Sequence, residues 1–208
     1  CMPPELTDGT YESHIYVLPM TGGEPKDLTG PGLSYLHGWS PDGKELAYCA
    51  FRKKPEEETM RIEICTIPSY VGEETCLTDG KGYYDGPEYS PDGKHIWFNS
   101  TRSGLMQVWR MNRDGSGLTQ MTDFDANNWF GHVSPDGKHV ICLPFAKGEL
   151  EPNEHLPNMY VSLGKMDYRG QNKKKLLDLF GGQGSINVNS WAPDSRRIAY
   201  VKYVLHHK

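Results

Sequence analysis

Apolar residues in this chain fall in short bursts broken by clusters of turn-forming residues. No segment keeps a helical period for more than about ten residues. Runs at 45–51, 95–99, 139–143 and 197–201 are rich in aromatic and aliphatic side chains. Each follows a compact polar turn and predicts a strand. Second β runs lie at 61–67, 106–111 and 159–166, each followed by a glycine-containing turn and a shorter strand. Only 172–179 reads as helical in isolation, and its position in the pattern predicts a strand.

The turns repeat. Ser40-Pro41-Asp42-Gly43-Lys44 recurs at Ser90–Lys94 and Ser134–Lys138, and a degenerate copy is Ala192-Pro193-Asp194-Ser195-Arg196. The intervals of 50, 44 and 58 residues match the length of a four-stranded propeller blade. In each turn Pro presets φ, Asp tolerates the second corner, and Gly takes the left-handed position that closes the turn. Ser195 stands where the other copies have Gly, which predicts a strained or altered turn there. An aromatic or apolar residue precedes each turn: Trp39, Tyr89, Val133 and Trp191.

The strand count predicts an all-β fold, a β-propeller of four-stranded antiparallel blades. The whole of 1–208 reads as a single propeller domain or a propeller fragment. Three blades are complete, at about 36–79, 87–123 and 129–180. The fourth blade-equivalent is split between 190–203 and 14–29, whose pairing would leave no open sheet edge. Whether the ring closes at four blades is left open by the sequence.

Composition narrows the function classes. The chain has 208 residues, 22 Lys and Arg against 27 Asp and Glu, and a net charge of −5. A mildly acidic chain without a clustered basic face does not read as a nucleic-acid binder. The longest apolar run, 46–51, is far below the ~20 residues of a membrane-spanning helix, so membrane insertion is not expected. The N-terminus, Cys1-Met2-Pro3-Pro4, lacks the regions of a signal peptide, and a fragment or processed form is the expectation. Of five cysteines none forms a C-x-x-C pair, and Cys49, Cys65, Cys76 and Cys142 sit in apolar stretches. They read as buried free thiols, which leans toward a reducing compartment, the bacterial cytoplasm ahead of the periplasm.

The Ser-Pro-Asp-Gly-Lys turns preceded by Trp or Tyr resemble the propeller repeats of the TolB family over about 14–203. Ser100-Thr101-Arg102-Ser103-Gly104 with Gln107-Val108-Trp109, and Leu179–Gly184 followed by Trp191, resemble a bacterial TolB-like branch labelled as biopolymer-transport proteins. The resemblance implies a six-bladed parent, of which this chain is two blades short at its N-terminal side. It also implies a range of roles: partner-binding modules, gates on serine peptidases and, in one related group, oligogalacturonate lyases that use a bound metal.

In such a fold the polar residues ahead of each innermost strand ring one mouth of the channel. They are Tyr35 and His37; Asp85; Asn127, Asn128 and His132; and Asn187 and Asn189. His37, Asp85, Asn128, His132, Asn187 and Asn189 are the ligand-binding candidates, joined by Arg102 from the loop after the second strand. Arg52 occupies the equivalent place one blade earlier. His37 and His132 are the candidate ligands for a divalent metal, although they lie three and two residues before their turn serines, and strict alternation aims them differently. The turn aspartates read as structural. The loop 144–158, which carries Glu149, Glu151, Glu154 and His155, is long enough to lid the channel. Trp129 and Phe130 are candidate interface anchors. There is no nucleophile elbow, P-loop, H-E-x-x-H or dinucleotide fingerprint. The reading is therefore a protein- or peptide-binding module without a cofactor, leaning away from an enzyme. The alternative is a metal-assisted enzyme on acidic sugars, with His37 and His132 on the metal and Arg102 on a substrate carboxylate.

Overall fold

The computed structural model describes residues 11–53 and 60–206 and, among them, contains strands but no helix; hence none is long and apolar enough to cross a membrane. Three four-stranded antiparallel blades follow one another in the chain. The first comprises β3 (Leu33–Trp39), β4 (Glu45–Arg52), β5 (Arg61–Pro68) and β6 (Thr75–Cys76), preceded by the pair β1 (Tyr16–Val17) and β2 (Lys26–Asp27). The second comprises β7 (Tyr84–Tyr89), β8 (His95–Ser103), β9 (Leu105–Asn112) and β10 (Thr119–Gln120). The third comprises β11 (Ala126–Val133), β12 (His139–Ala146), β13 (Pro157–Asp167) and β14 (Lys174–Gly182). The helix-like segment 172–179 is thus largely strand. Each blade is a meander, its strands paired in sequence order.

The central strands are apolar on both faces because each face fills a different seam. On β4, Leu46, Tyr48 and Ala50 pack with Ile15, Val17 and Leu28 of the N-terminal segment. The alternate residues Ala47 and Cys49 pack with Tyr84, Tyr89, Ile96 and Phe98 of the second blade. Trp97 and Val108 meet Val133, Val140 and Met166 at the next seam. Ile141 and Leu143 carry the core on to Ile186, Trp191 and Ile198. A fully buried large side chain stabilises such a seam by roughly 1.5–3 kcal/mol.

The turns are built alike. Ser40 Oγ donates to Asp42 Oδ1 at 2.6 Å and accepts from the Glu45 amide at 2.9 Å, and the Gly43 amide donates to the Ser40 carbonyl. Gly43, Gly93 and Gly137 take φ of 69°, 69° and 68°. Ser195 is forced to φ 59° in the degenerate copy, so that turn keeps the geometry and bears the strain. Its Oγ accepts the Asp136 amide at 3.0 Å and ties the turn to the third blade.

At the chain ends the pairing is sparse. The C-terminal segment has one isolated bridge, Trp191 to Ile198, in place of the predicted pair of strands. Among the described residues no ladder joins it to β1 and β2. The cysteine reading needs a correction. Cys49 and Cys142 are buried free thiols, but Cys65 and Cys76 form a disulfide. They are direct register partners on β5 and β6, and β6 is too short for sequence to fix that register. Cys1 lies outside the described residues.

Candidate functional site

Each innermost strand carries one extra residue. The register of β3 on β4 shifts between Leu36 and Gly38, of β7 on β8 between Asp85 and Glu88, and of β11 on β12 between Trp129 and His132. A bulge of this kind breaks the two-residue alternation and turns a side chain off the sheet face. Gly86 and Phe130 take left-handed conformations there, with φ of 61° and 56°. Gly131 is held tightly beside them, since a Cβ would lie 2.4 Å from Val108 Cγ1.

The bulges aim His37, Asp85 and Phe130 into one cavity of about 510 Å³, whose other walls include Tyr35, Cys49, Phe51, Tyr83, His155 and Asn187. Asp85 is its electrostatic centre. Its Oδ1 lies 3.3 Å from His37 Nε2 and 3.6 Å from Cys49 Sγ, and its Oδ2 lies 3.7 Å from His155 Nε2. The Gly86 amide donates to the same Oδ1 at 2.7 Å. Burial alone would push the Asp85 carboxyl up, but the close approach of His155 and His37 outweighs it and holds the carboxyl well below the usual range. Burial, together with the Asp85 charge, pushes the Cys49 thiol well up. Burial likewise raises Tyr83, with Asp85 adding to it.

His155 comes from the loop 147–156, shorter than the 144–158 expected because β12 runs to Ala146 and β13 begins at Pro157, and the loop turns this residue inward. It is 5% exposed, packs its ring 4.2 Å from that of Trp129 and 5.3 Å from that of Phe130, and its Nδ1 has no hydrogen-bond partner among the described residues.

Of the residues singled out from sequence, the structure brings together His37, Asp85 and Asn187, with Tyr35 and Phe130. Four others are placed elsewhere. His132 is buried, with Nδ1 2.7 Å from Glu88 Oε2 and Nε2 2.6 Å from the Ile186 carbonyl. Both ring nitrogens are thus engaged by oxygen atoms away from the cavity, and His37 and His132 are not brought together. Asn189 donates to Glu88 Oε1 and to the Val133 carbonyl. Asn128 is buried against Gln107 and the Ala126 carbonyl. Arg102 points away from the cavity to Asp79 at 3.4 Å and lies over the Trp109 ring. The trio His37, His132 and Arg102 is therefore not assembled.

Other expectations resolve as follows. Arg52 is consumed by Glu74 and the Leu33 carbonyl. Trp129 is fully buried and is core; its neighbour Phe130 alone reaches the cavity. The turn aspartates bond within their own turns. The sequence marks Cys49 only as a buried free thiol and does not mark Tyr83 as part of the site. Cys49 stands on a second strand and reaches the cavity only across the seam, beside the Tyr84 carbonyl.

The TolB beta propeller domain family matches residues 9–156. An uncharacterized protein of Agrobacterium fabrum is 45% identical over 192 residues, covering 92% of this chain and 62% of its own length. The chain thus spans less than two thirds of that relative. The solved structure of a candidate TolB from Agrobacterium tumefaciens superposes with a TM-score of 0.82 at 42% identity, over 94% of this chain and 67% of that one. An oligogalacturonate lyase from Vibrio parahaemolyticus shares the fold alone, with a TM-score of 0.54 at 13% identity, over 80% of this chain and 47% of that one. Together with the three blades and their Ser-Pro-Asp-Gly turns, these likenesses place the chain in the TolB β-propeller family.

Proposed function

We propose that this chain is a binding module whose channel-face cavity receives a peptide segment of a partner protein. The observation that carries this reading is the convergence of four partly buried aromatic rings, Tyr35, Phe51, Tyr83 and Phe130, on one opening edged by His37, Asp85 and Asn187. A volume of about 510 Å³ suits one or two bulky side chains, and falls in the range of small-ligand pockets. Tyr and Phe give large contact area for little lost rotamer freedom. Tyr35 and Phe51 already meet edge to face at 5.6 Å, which fixes the wall before a ligand arrives.

The test is to pan a random peptide library against the protein and measure the enriched peptides on Tyr35→Ala and Phe130→Ala. Binding should weaken by at least tenfold in each, corresponding to anchors of about 1.4 kcal/mol or more, with both variants still folded by circular dichroism. Peptides that bind both variants as well as the parent, or no enrichment over a blank surface, would overturn the proposal.

A further inference from the structure

We infer that His37, Cys49 and Asp85 form a transition-metal site of the zinc class, with its fourth coordination position open to the cavity. The ligand atoms of these three residues all lie within 4.8 Å of one another. The two edges that meet at Asp85 Oδ1 have the lengths of a tetrahedral shell. Zinc bonds of about 2.0–2.2 Å to N and O and about 2.3 Å to S put N···O edges near ~3.4 Å and S···O edges near ~3.6 Å. His37 Nε2 and Cys49 Sγ lie 3.3 Å and 3.6 Å from Asp85 Oδ1. The first distance is longer than the usual N–H···O hydrogen bond, and both edges that Asp85 Oδ1 makes are at the lengths an ion would impose.

The surroundings supply the supporting contacts that a metal site uses. Asp85 Oδ1 is oriented by the Gly86 amide, and His155 stands by the other carboxylate oxygen, 3.7 Å from Oδ2. His155 is nearly fully buried, and its Nδ1 is without a partner among the described residues. It acts through the carboxylate as an orienting residue, the role second-layer partners play at metal centres. With three protein ligands and a cavity in front, the fourth position is left for water or an incoming ligand.

The donor set decides the metal. A thiolate with one imidazole and one carboxylate favours zinc or cobalt over manganese, magnesium or calcium, which prefer oxygen. Binding forms a metal–sulfur bond, and the Cys49 thiol proton leaves to solvent. A second group of possible ligands, Cys65, Glu74 and Cys76, is closed by the disulfide.

The experiment is titration of chelator-treated protein, its disulfide intact, with Co(II) and then Zn(II). About one equivalent of cobalt should give a thiolate charge-transfer band with intense visible d–d bands of a tetrahedral ion, displaced by zinc. The charge-transfer band should vanish in Cys49→Ser, cobalt affinity should fall at least tenfold in His37→Ala, and both should persist in Cys76→Ser. His37 is on the exposed side of the group, so its variant keeps the test open if the buried Cys49→Ser does not fold. Absence of a thiolate band in the parent, loss of the band in Cys76→Ser, or preferential binding of manganese would each overturn the assignment. The inference does not rest on peptide binding: the cobalt spectrum and the peptide panning read separate events.

Discussion

At the scale of single residues, one half-exposed carboxylate, Asp79, gathers three partners. Asp79 accepts from Tyr84 Oη at 2.7 Å, Lys81 Nζ lies 3.1 Å away and Arg102 Nη2 3.4 Å away. Burial opposes ionisation, but the bonds from Tyr84 and Lys81 and the Arg102 charge overcome it and bring the Asp79 pKa down to about 2. A carboxylate with a depressed folded pKa contributes stability above its unfolded value, near ~3.9, and loses it as pH falls toward 2. Because the side chain is 40% exposed, solvent screening limits the effect to less than ~1 kcal/mol. Asp79→Asn should therefore lower the denaturation midpoint at pH 6, with the difference from the parent shrinking as pH falls from about 4 through 2. A constant difference across that window, followed by urea titration, would refute the assignment. The same scale shows what sequence could reveal about the site. His37 and Asp85 were legible as polar residues close before a repeat turn, although they lie inside β3 and β7 and reach the cavity through the bulges there, and Asn187 was legible from the matching place in the last repeat. His132 and Asn128 were not, because one inserted residue per strand shifts the facing of everything around it. His155 belongs to a long loop with no period to read, and nothing in its neighbours marks it as the residue turned inward.

At the scale of elements, the strands and their turns were legible from a two-residue period and a Pro-Asp-Gly signature, both of which are local. Pairing register was less so. β6 has only two paired residues, and its hold on β5 rests on two register pairs and the Cys65–Cys76 bond. A cross-link closing so short a loop contributes roughly 2–3 kcal/mol in the chain-entropy account. Reductant should lower the melting temperature of the parent by several degrees. Cys76→Ser should start at the lowered value and show no further response to reductant. A parent that melts identically with and without reductant would mean that β6 is held by its backbone bonds alone.

At the scale of the whole molecule, the seams were foreseeable in kind but not in pairing, since long apolar strands say that both faces are buried without saying against what. The C-terminal segment shows how a stretch with little strand pairing is fastened instead. Glu88 reaches from the second blade to His132 at 2.7 Å and Asn189 at 2.5 Å, while Trp191 Nε1 donates to the His132 carbonyl at 3.1 Å. Glu88→Ala leaves the His132 ring nitrogen without its acceptor, a loss of about 1–3 kcal/mol. Amide hydrogen exchange at Ala199, Val201 and Tyr203, whose amides bond to Ser190, Ser185 and Phe180, should speed up roughly tenfold or more. Unchanged exchange there, with the first blade as internal reference, would show that Glu88 does not fasten the segment.

The extra residue in each innermost strand also separates two kinds of inheritance. Residues on the regular stretches of a strand are bound to the seams on either side, and a change there is felt by the neighbouring blade. His37, displaced at the bulge of β3 and exposed, is released from that obligation, while Phe130 at the bulge of β11 still packs on the core. A substitution at position 37 therefore alters what the channel displays without touching a seam, whereas one at position 130 is felt in both. Gly131, pressed against Val108, remains the point where that freedom stops.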